Sequence, residues 1–328
     1  VVIIPKNRER DELNQRGESI KHCQEEGFVY CFEEDDCECN IMIFGNTPRP
    51  IHTPFKKSAL IMHGVWGGKM VNYASGLNDV DLRFLDGEFL ENSLTKLFPE
   101  KKSIYYVSGY SKLDSYFEFT EEDRVKFLQH CNLDINKKTI LYAPTFYPSS
   151  ILKMSKKFPE DLADYNIILK PHSHLFLRKK YTKDLHRLES WTKYTNIYLA
   201  KFDETNILPF LHASDLMISD MSSAVFEFSG VGKRAIVNMF LRYRLLHRIF
   251  PHKITKRLDT TNFFLWEVGD TPRNYAEMLQ NAKENLTNPD KNKEKREKFS
   301  RHVVGIVDGK VSERIVDKLL ELNNNIQA

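Results

Sequence analysis

Short apolar runs alternate along the chain with longer stretches in which apolar and polar residues mix at helical spacing. In the first third, Val1–Pro5, Phe28–Phe32, Asn40–Phe44, Ala59–Met62 and Ser103–Val107 read as strands. Each is short and rich in β-branched or aromatic residues. A polar helix is expected between about Glu9 and Glu26. Near residue 120 the pattern restarts. Thr120 followed by Glu121, Glu122 and Asp123 is a helix start, with a hydroxyl cap and acids in the first turn, and the helix should run to about Cys131. Further strands are expected at Thr139–Ala143, Ile167–Lys170, Ile197–Ala200, Leu216–Ser219 and Ala235–Asn238. The stretch 273–326 reads as charged helix, with Lys291–Lys298 as a solvated face.

Buried strands alternating with helices imply an α/β fold whose parallel sheets are covered on both faces. The length of 328 residues exceeds one ordinary domain. Two α/β domains are therefore expected, 1–120 and 121–328. The junction holds no Pro/Gly-rich tract, so close contact between them is expected as well.

Hydrophobic residues make up 41% and charged residues 28%, which supports a packed core and excludes general disorder. The net charge is only +3, so any binding of polyanions has to be local, and a nucleic-acid-coating protein is excluded. No apolar stretch is long enough to cross a membrane as a helix. The first residue is Val, and the opening run is too short for a signal-peptide core. Cys23, Cys31, Cys37 and Cys39 lie within 17 residues, at spacings that do not match paired zinc knuckles. Free thiols in a reducing cytosol are the expectation there.

Three loops carry chemistry. Leu60-Ile61-Met62-His63 runs into Gly64, Gly67, Gly68 and Lys69. The glycines let a ligand approach the backbone, Lys69 suits an anion, and His63 is a candidate general base. Taken alone, His63-Gly64 also reads as a turn holding a hydrogen-bonded histidine. The second loop is Lys170-Pro171-His172-Ser173-His174, where Lys and His suit phosphate oxygens. No nearby carboxylate completes a metal set, so no metal site is expected. The third is Ser219-Asp220-Met221-Ser222-Ser223, entering a helix that carries Glu227. Hydroxyls and N–H groups at a helix start make an anion site, although Ser222 also reads as a plain cap. In open parallel sheets ligands bind outside the C-terminal strand ends, so three such loops point to one cleft.

These motifs resemble, in order, those of the CDP-glycerol glycerophosphotransferases, which build teichoic acids and related capsule polymers. The loop at His63 is similar to their His-Gly-Thr motif, Tyr142-Ala143-Pro144-Thr145 to Tyr-Ala-Pro-Thr, and Lys170-Pro171-His172 to Lys-Pro-His. Ser219–Ser223 resembles their Thr/Ser-Asp-Tyr-Ser-Ser, and Asp308–Ile315 their terminal Asp-Gly-x-x-Ser-x-Arg motif. Gly109–Asp114 is a weak echo of their Gly-x-Pro-Arg-x-Asp. The resemblance spans roughly 59–316. It implies a GT-B-like fold of two Rossmann-like domains, with the acceptor on the N-terminal side and a CDP-alditol donor mainly on the C-terminal side.

By the same resemblance His63 and His172 are catalytic, His63 as the acceptor-side base. Lys170, His172, Thr145, Ser222, Ser223 and Glu227 bind the donor. The implied reaction passes an alditol phosphate to a hydroxyl of a surface polymer or its lipid-linked precursor and releases CMP. Divalent metal dependence stays open. A GT-B glycosyltransferase, a nucleotide-sugar epimerase and a non-catalytic polyanion- or lipid-binding module are the rivals.

Between Glu227 and Asp259 lie eight Lys/Arg and no acid. There Arg242, Arg244 and Arg248 alternate with large apolar residues, which fits contact with an anionic membrane or a polyanionic acceptor as well as an ordinary solvated helix. The expected location is cytoplasmic, peripheral on the inner face of the cell membrane.

Overall fold

A computed structural model describes residues 2–4, 15–32, 38–48, 53–65, 70–250, 268–288 and 290–327. All its sheets are parallel. β1 (Val2–Ile4) pairs with β2 (Tyr30–Phe32). A four-stranded sheet has the order β3-β4-β5-β6: Cys39–Phe44, Phe55–Leu60, Leu82–Leu85 and Ile104–Val107. A five-stranded sheet has the order β11-β10-β7-β8-β9. Its strands are β7 Thr139–Ala143, β8 Asn166–Leu169, β9 Ile197–Leu199, β10 Leu216–Ser219 and β11 Arg234–Val237.

The five-stranded sheet shows why its strands are continuous apolar runs. Successive side chains leave a strand on opposite faces. In β7, Leu141 and Ala143 enter one core, and Ile140 and Tyr142 enter the other. Met217 and Ile218 of β10 divide in the same way. Both faces are covered, so no position can be polar without a partner.

Strand positions agree with the sequence pattern within a few residues, with one omission. β5 was not anticipated, because Arg83 interrupts its apolar run. Arg83 is nevertheless fully buried. Its guanidinium donates to Asn78 Oδ1 (2.7 Å) and to the Asn72 carbonyl (2.9 Å), and burial lowers its pKa to about 10. β4 begins at Phe55 and ends at Leu60, so His63 stands beyond the strand. The first helix is described over Gln15–Glu25. The helix Glu121–His130 begins as expected: Thr120 and Asp123 bond each other's backbone N–H in a capping box.

The charged C-terminal stretch forms three helices, Tyr275–Thr287, Lys293–Val303 and Val311–Gln327. Lys291 is not part of a solvated face. It pairs with Glu284 (3.0 Å) and Asp270 (3.4 Å). Cys23 and Cys39 are free thiols, but Cys31 is disulfide-bonded, against the expectation for that cluster. Its partner lies outside the described residues.

The last helix returns to the first sheet, where Val311 and Ile315 pack with Ala59, Leu82 and Phe84. Two motifs far apart in sequence meet at its start. Asp114 accepts from the backbone N–H of Val311 (3.0 Å) and Ser312 (2.6 Å). Arg314 clasps Asp308 through Nη1 (2.8 Å) and Nη2 (3.1 Å), while its Nε donates to the Ser108 carbonyl. Gly109 allows this approach. Its φ is +95°, and a Cβ would stand 2.7 Å from the Ile306 carbonyl oxygen. The Gly109–Asp114 segment is thus a structural junction.

Asp114→Ala should cost about 1–2 kcal/mol, as for loss of a helix cap. Urea unfolding checks this; an unchanged midpoint would mean that the Asp114 bonds do not hold the helix.

Candidate active site

The C-terminal ends of β7, β8, β9 and β10 open into one cavity of about 340 Å³. Six residues singled out from the sequence line it together: Thr145, Lys170, His172, Ser222, Ser223 and Glu227. Lys112, from the N-terminal half, lines it too, and its ammonium meets the buried Glu227 carboxylate at 2.9 Å. Sequence reading did not select Lys112. Its place is set by the junction with the last helix, which no local pattern announces.

Ser222 caps the helix Ser223–Gly230, accepting from the Ala224 N–H at 3.4 Å. The cap and a ligand site coexist here, because Ser222, Ser223 and Ala224 of the helix start line the cavity. Burial lowers the pKa of Lys170, and the nearby Lys112 charge adds to this, while Glu204 opposes it.

His172 is held in a defined tautomer. Its Nδ1 accepts from the His174 N–H at 3.1 Å, which leaves the proton on Nε2. The ring stands edge-on to Phe146 (4.8 Å between centroids) and to His174 (4.7 Å).

His63 has the opposite arrangement. Its Nδ1 lies 2.9 Å from the Gly45 carbonyl oxygen and must donate to it, so the Nε2 lone pair is free. The ring is exposed. The His63 carbonyl accepts from Tyr110 Oη at 3.1 Å. The Tyr110 phenol is kept protonated by burial and by the charges of Glu227 and Asp86. Tyr110 therefore links the His63 loop to the Lys112–Glu227 pair at the cavity. A Cβ on Gly64 would meet open space. Gly67, Gly68 and Lys69 lie outside the described residues.

Asp220, the acid of the Ser-Asp-x-Ser-Ser motif, holds the cavity wall. The carboxylate is fully buried and accepts from the backbone N–H of Thr145 (3.0 Å) and Ser150 (3.1 Å). Burial raises its pKa to about 7 against the pull of these bonds.

Arg242 and Arg244 line a different, larger cavity of about 990 Å³ on the other side of the 145–150 loop. Arg248 lies in the short helix Leu245–Ile249. Among the described residues no group of three or more His, Cys, Asp or Glu side chains is placed to hold a metal ion. No described helix is long and apolar enough to cross a membrane.

A family model described as CDP-Glycerol:Poly(glycerophosphate) glycerophosphotransferase matches residues 72–321. That stretch contains all six cavity residues; His63 precedes it. A teichoic acid poly(ribitol-phosphate) polymerase of Bacillus spizizenii is 26% identical over 226 residues, covering 65% of this chain and 33% of the relative. The match thus spans about a third of that relative's length. The wall teichoic acid polymerase TagF has the same fold, with a TM-score of 0.59 at 14% identity, over 99% of this chain and 90% of that one. A TagF variant soaked with CDPG gives a TM-score of 0.60 at 16% identity, over 88% of this chain and 73% of that one. A UDP-N-acetylglucosamine 2-epimerase gives 0.50 at 14% identity, over 96% and 79%. The expected α/β, GT-B-like fold agrees with these likenesses.

The Asp220 carboxyl implies a pH dependence. The folded state keeps its proton up to about pH 7, whereas the free carboxyl loses it near 3.8. Between these values the folded chain binds more protons, so this contribution to stability should fall as pH rises from about 4 to 7. Denaturant midpoints across that range, compared with Asp220→Asn, should show the slope lost in the variant. Parallel profiles would mean that the Asp220 pKa is not raised on folding.

Proposed function

Because the chain belongs to the CDP-glycerol:poly(glycerophosphate) glycerophosphotransferase family, we propose that it transfers an alditol phosphate from a CDP-linked donor to a polymer hydroxyl. The acceptor is a surface polymer or its lipid-linked precursor, and CMP is released. One observation carries this reading: Thr145, Lys170, His172, Ser222, Ser223 and Glu227 converge on one cavity at the strand ends. Residues 1–120, with the helix Val311–Gln327 packed on their sheet, form the acceptor-side unit, and the five-stranded sheet and its helices form the donor-side unit.

The two histidine tautomers fit two tasks. The acceptor hydroxyl attacks the β-phosphorus of the donor and its proton passes to His63 Nε2. The new oxygen–phosphorus bond forms as the bond from β-phosphorus to the CMP oxygen breaks. His172, with its proton on Nε2, donates to the diphosphate, as do Lys170 and the Ser222-Ser223 helix start. Charge builds on the leaving CMP, and fixed donors in a partly desolvated cavity stabilise it more than water does. Glu227 holds Lys112 beside these groups. The chain works in the cytoplasm on the inner membrane face. Leu245, Leu246, Ile249 and Phe250 expose apolar surface within a stretch of sequence rich in Lys and Arg, which supports contact with an anionic bilayer.

His63→Ala should lower transfer by about 10²–10⁴-fold, the usual worth of a general base, with CDP affinity retained. A variant that keeps more than roughly a tenth of the rate removes His63 from that role. His172→Ala and the Ser222→Ala, Ser223→Ala pair should each weaken CDP binding by about tenfold or more, as for lost hydrogen bonds to a charged group. Calorimetry reads this directly, and unchanged affinity would leave Ser222 as a helix cap alone.

A further inference from the structure

The larger cavity, of about 990 Å³, is lined by six cations from three separate elements. Lys153 follows β7. Lys180, Lys183 and Arg187 stand on and before the helix Thr182–Glu189, and Arg242 and Arg244 follow β11. Asp184 is the one acid lining it among the described residues. The whole chain has a net charge of only +3, so this concentration of positive charge is local. Like charges gathered in a hollow repel one another, and an anionic occupant relieves that repulsion.

The wall of the cavity is also aromatic. Arg244 lies over the Tyr147 ring at 4.3 Å and donates to Tyr181 Oη at 3.2 Å. Its guanidinium is thereby stacked and aimed. Tyr147, Tyr181 and Tyr243 line the hollow with the cations, the Tyr147 hydroxyl being bonded to His247 Nδ1 at 2.6 Å. The occupant that suits such a lining carries both anionic groups and hydroxyls.

Two further observations narrow the occupant. The cations face a concave space, whereas a bilayer presents a flat surface of headgroups. Beyond Leu245, which lines the cavity, the exposed apolar side chains of Leu246 and Ile249 supply a surface for a membrane. The cavity also shares a wall with the donor cavity. Thr145 lines one, and the adjoining Phe146 and Tyr147 line the other. Phe146 touches His172 on the donor side (4.8 Å between centroids) and Tyr181 on the far side (5.7 Å).

We propose that this second cavity holds a polyol-phosphate chain of several repeats, its phosphates on Lys153, Lys180, Lys183, Arg187, Arg242 and Arg244 and its polyol hydroxyls on Tyr181, Tyr243 and Asp184. Substrate or product polymer is thereby retained behind the wall that carries the donor loop. This assignment rests on the transferase reading above, but its test does not.

The test uses the full chain and a defined oligo(glycerol phosphate) as probe, titrated by calorimetry. Inorganic phosphate and phosphatidylglycerol vesicles serve as comparators. The double variant Lys183→Gln, Arg242→Gln removes two exposed cations whose side chains make no hydrogen bond among the described residues. It should weaken oligomer binding by roughly tenfold or more, while CDP affinity and the melting temperature stay unchanged. Lys180→Glu should act in the same direction. Wild-type binding should weaken with added salt, and inorganic phosphate should bind far more weakly than the oligomer. Unchanged oligomer affinity in both variants overturns the proposal. So does a loss confined to vesicle binding, which would assign the cations to the membrane. Failure of the chain to bind CDP would instead count against the transferase reading, with the oligomer result standing on its own.

Discussion

The buried Asp220 carboxylate is the interaction on which the site depends. It stands at the end of β10 and takes the backbone N–H groups of Thr145 and Ser150, so both ends of the loop after β7 are tied to a neighbouring strand. A buried carboxyl is costly unless its lone pairs are matched by donors, and here the donors are main-chain groups of that loop. The loop is the wall between the two cavities. One side of it presents Thr145 and the other Phe146 and Tyr147. A change at Asp220 therefore acts on both cavities, although its carboxylate faces neither.

Backbone groups also set the chemistry of the two histidines. A carbonyl oxygen beside His63 requires a proton on Nδ1, and an amide N–H beside His172 forbids one there. One ring is left with a free lone pair on Nε2 and the other with an N–H. The distinction needs no charged partner, so it survives changes in ionic strength that would weaken a surface ion pair.

The two halves share one apolar cluster, which holds Leu85, Leu90 and Tyr110 together with Phe226, Phe228 and Val304, and they also meet by close backbone approach. The segment around Gly305 passes so close to Asp86 and Gly109 that a Cβ at position 305 would collide with the Asp86 carbonyl oxygen. With the chain fixed there, the last helix settles on the first sheet and Asp114 caps it. The same junction carries Lys112 to Glu227. The buried Glu227 carboxylate resists any movement that would separate it from Lys112 and leave it alone in a low-dielectric surrounding.

Much of the fold was legible in the sequence, since strands buried on both faces have to be apolar runs. β7 and β10 were plain for that reason. β5 was not, because Arg83 finds its partners, Asn78 and Asn72, only after folding. Most of the cavity residues were legible because they sit in loops at strand ends, where a parallel sheet collects them; Glu227 stands on the helix that follows β10. Lys112, the wall function of Asp220 and the pairing of Asp114 with the last helix were not. Each depends on a contact across 70 residues or more, which no local period records. The arginines after β11 show the division most directly. Their charge and spacing were visible in the sequence, but that Arg242 and Arg244 face a hollow was decided by the helix and loop packed opposite them. The sequence by itself determined the parallel α/β layers and the chemistry at the strand ends. The tertiary structure alone decided which charges meet, because a charge is positioned by partners brought in from elsewhere in the chain.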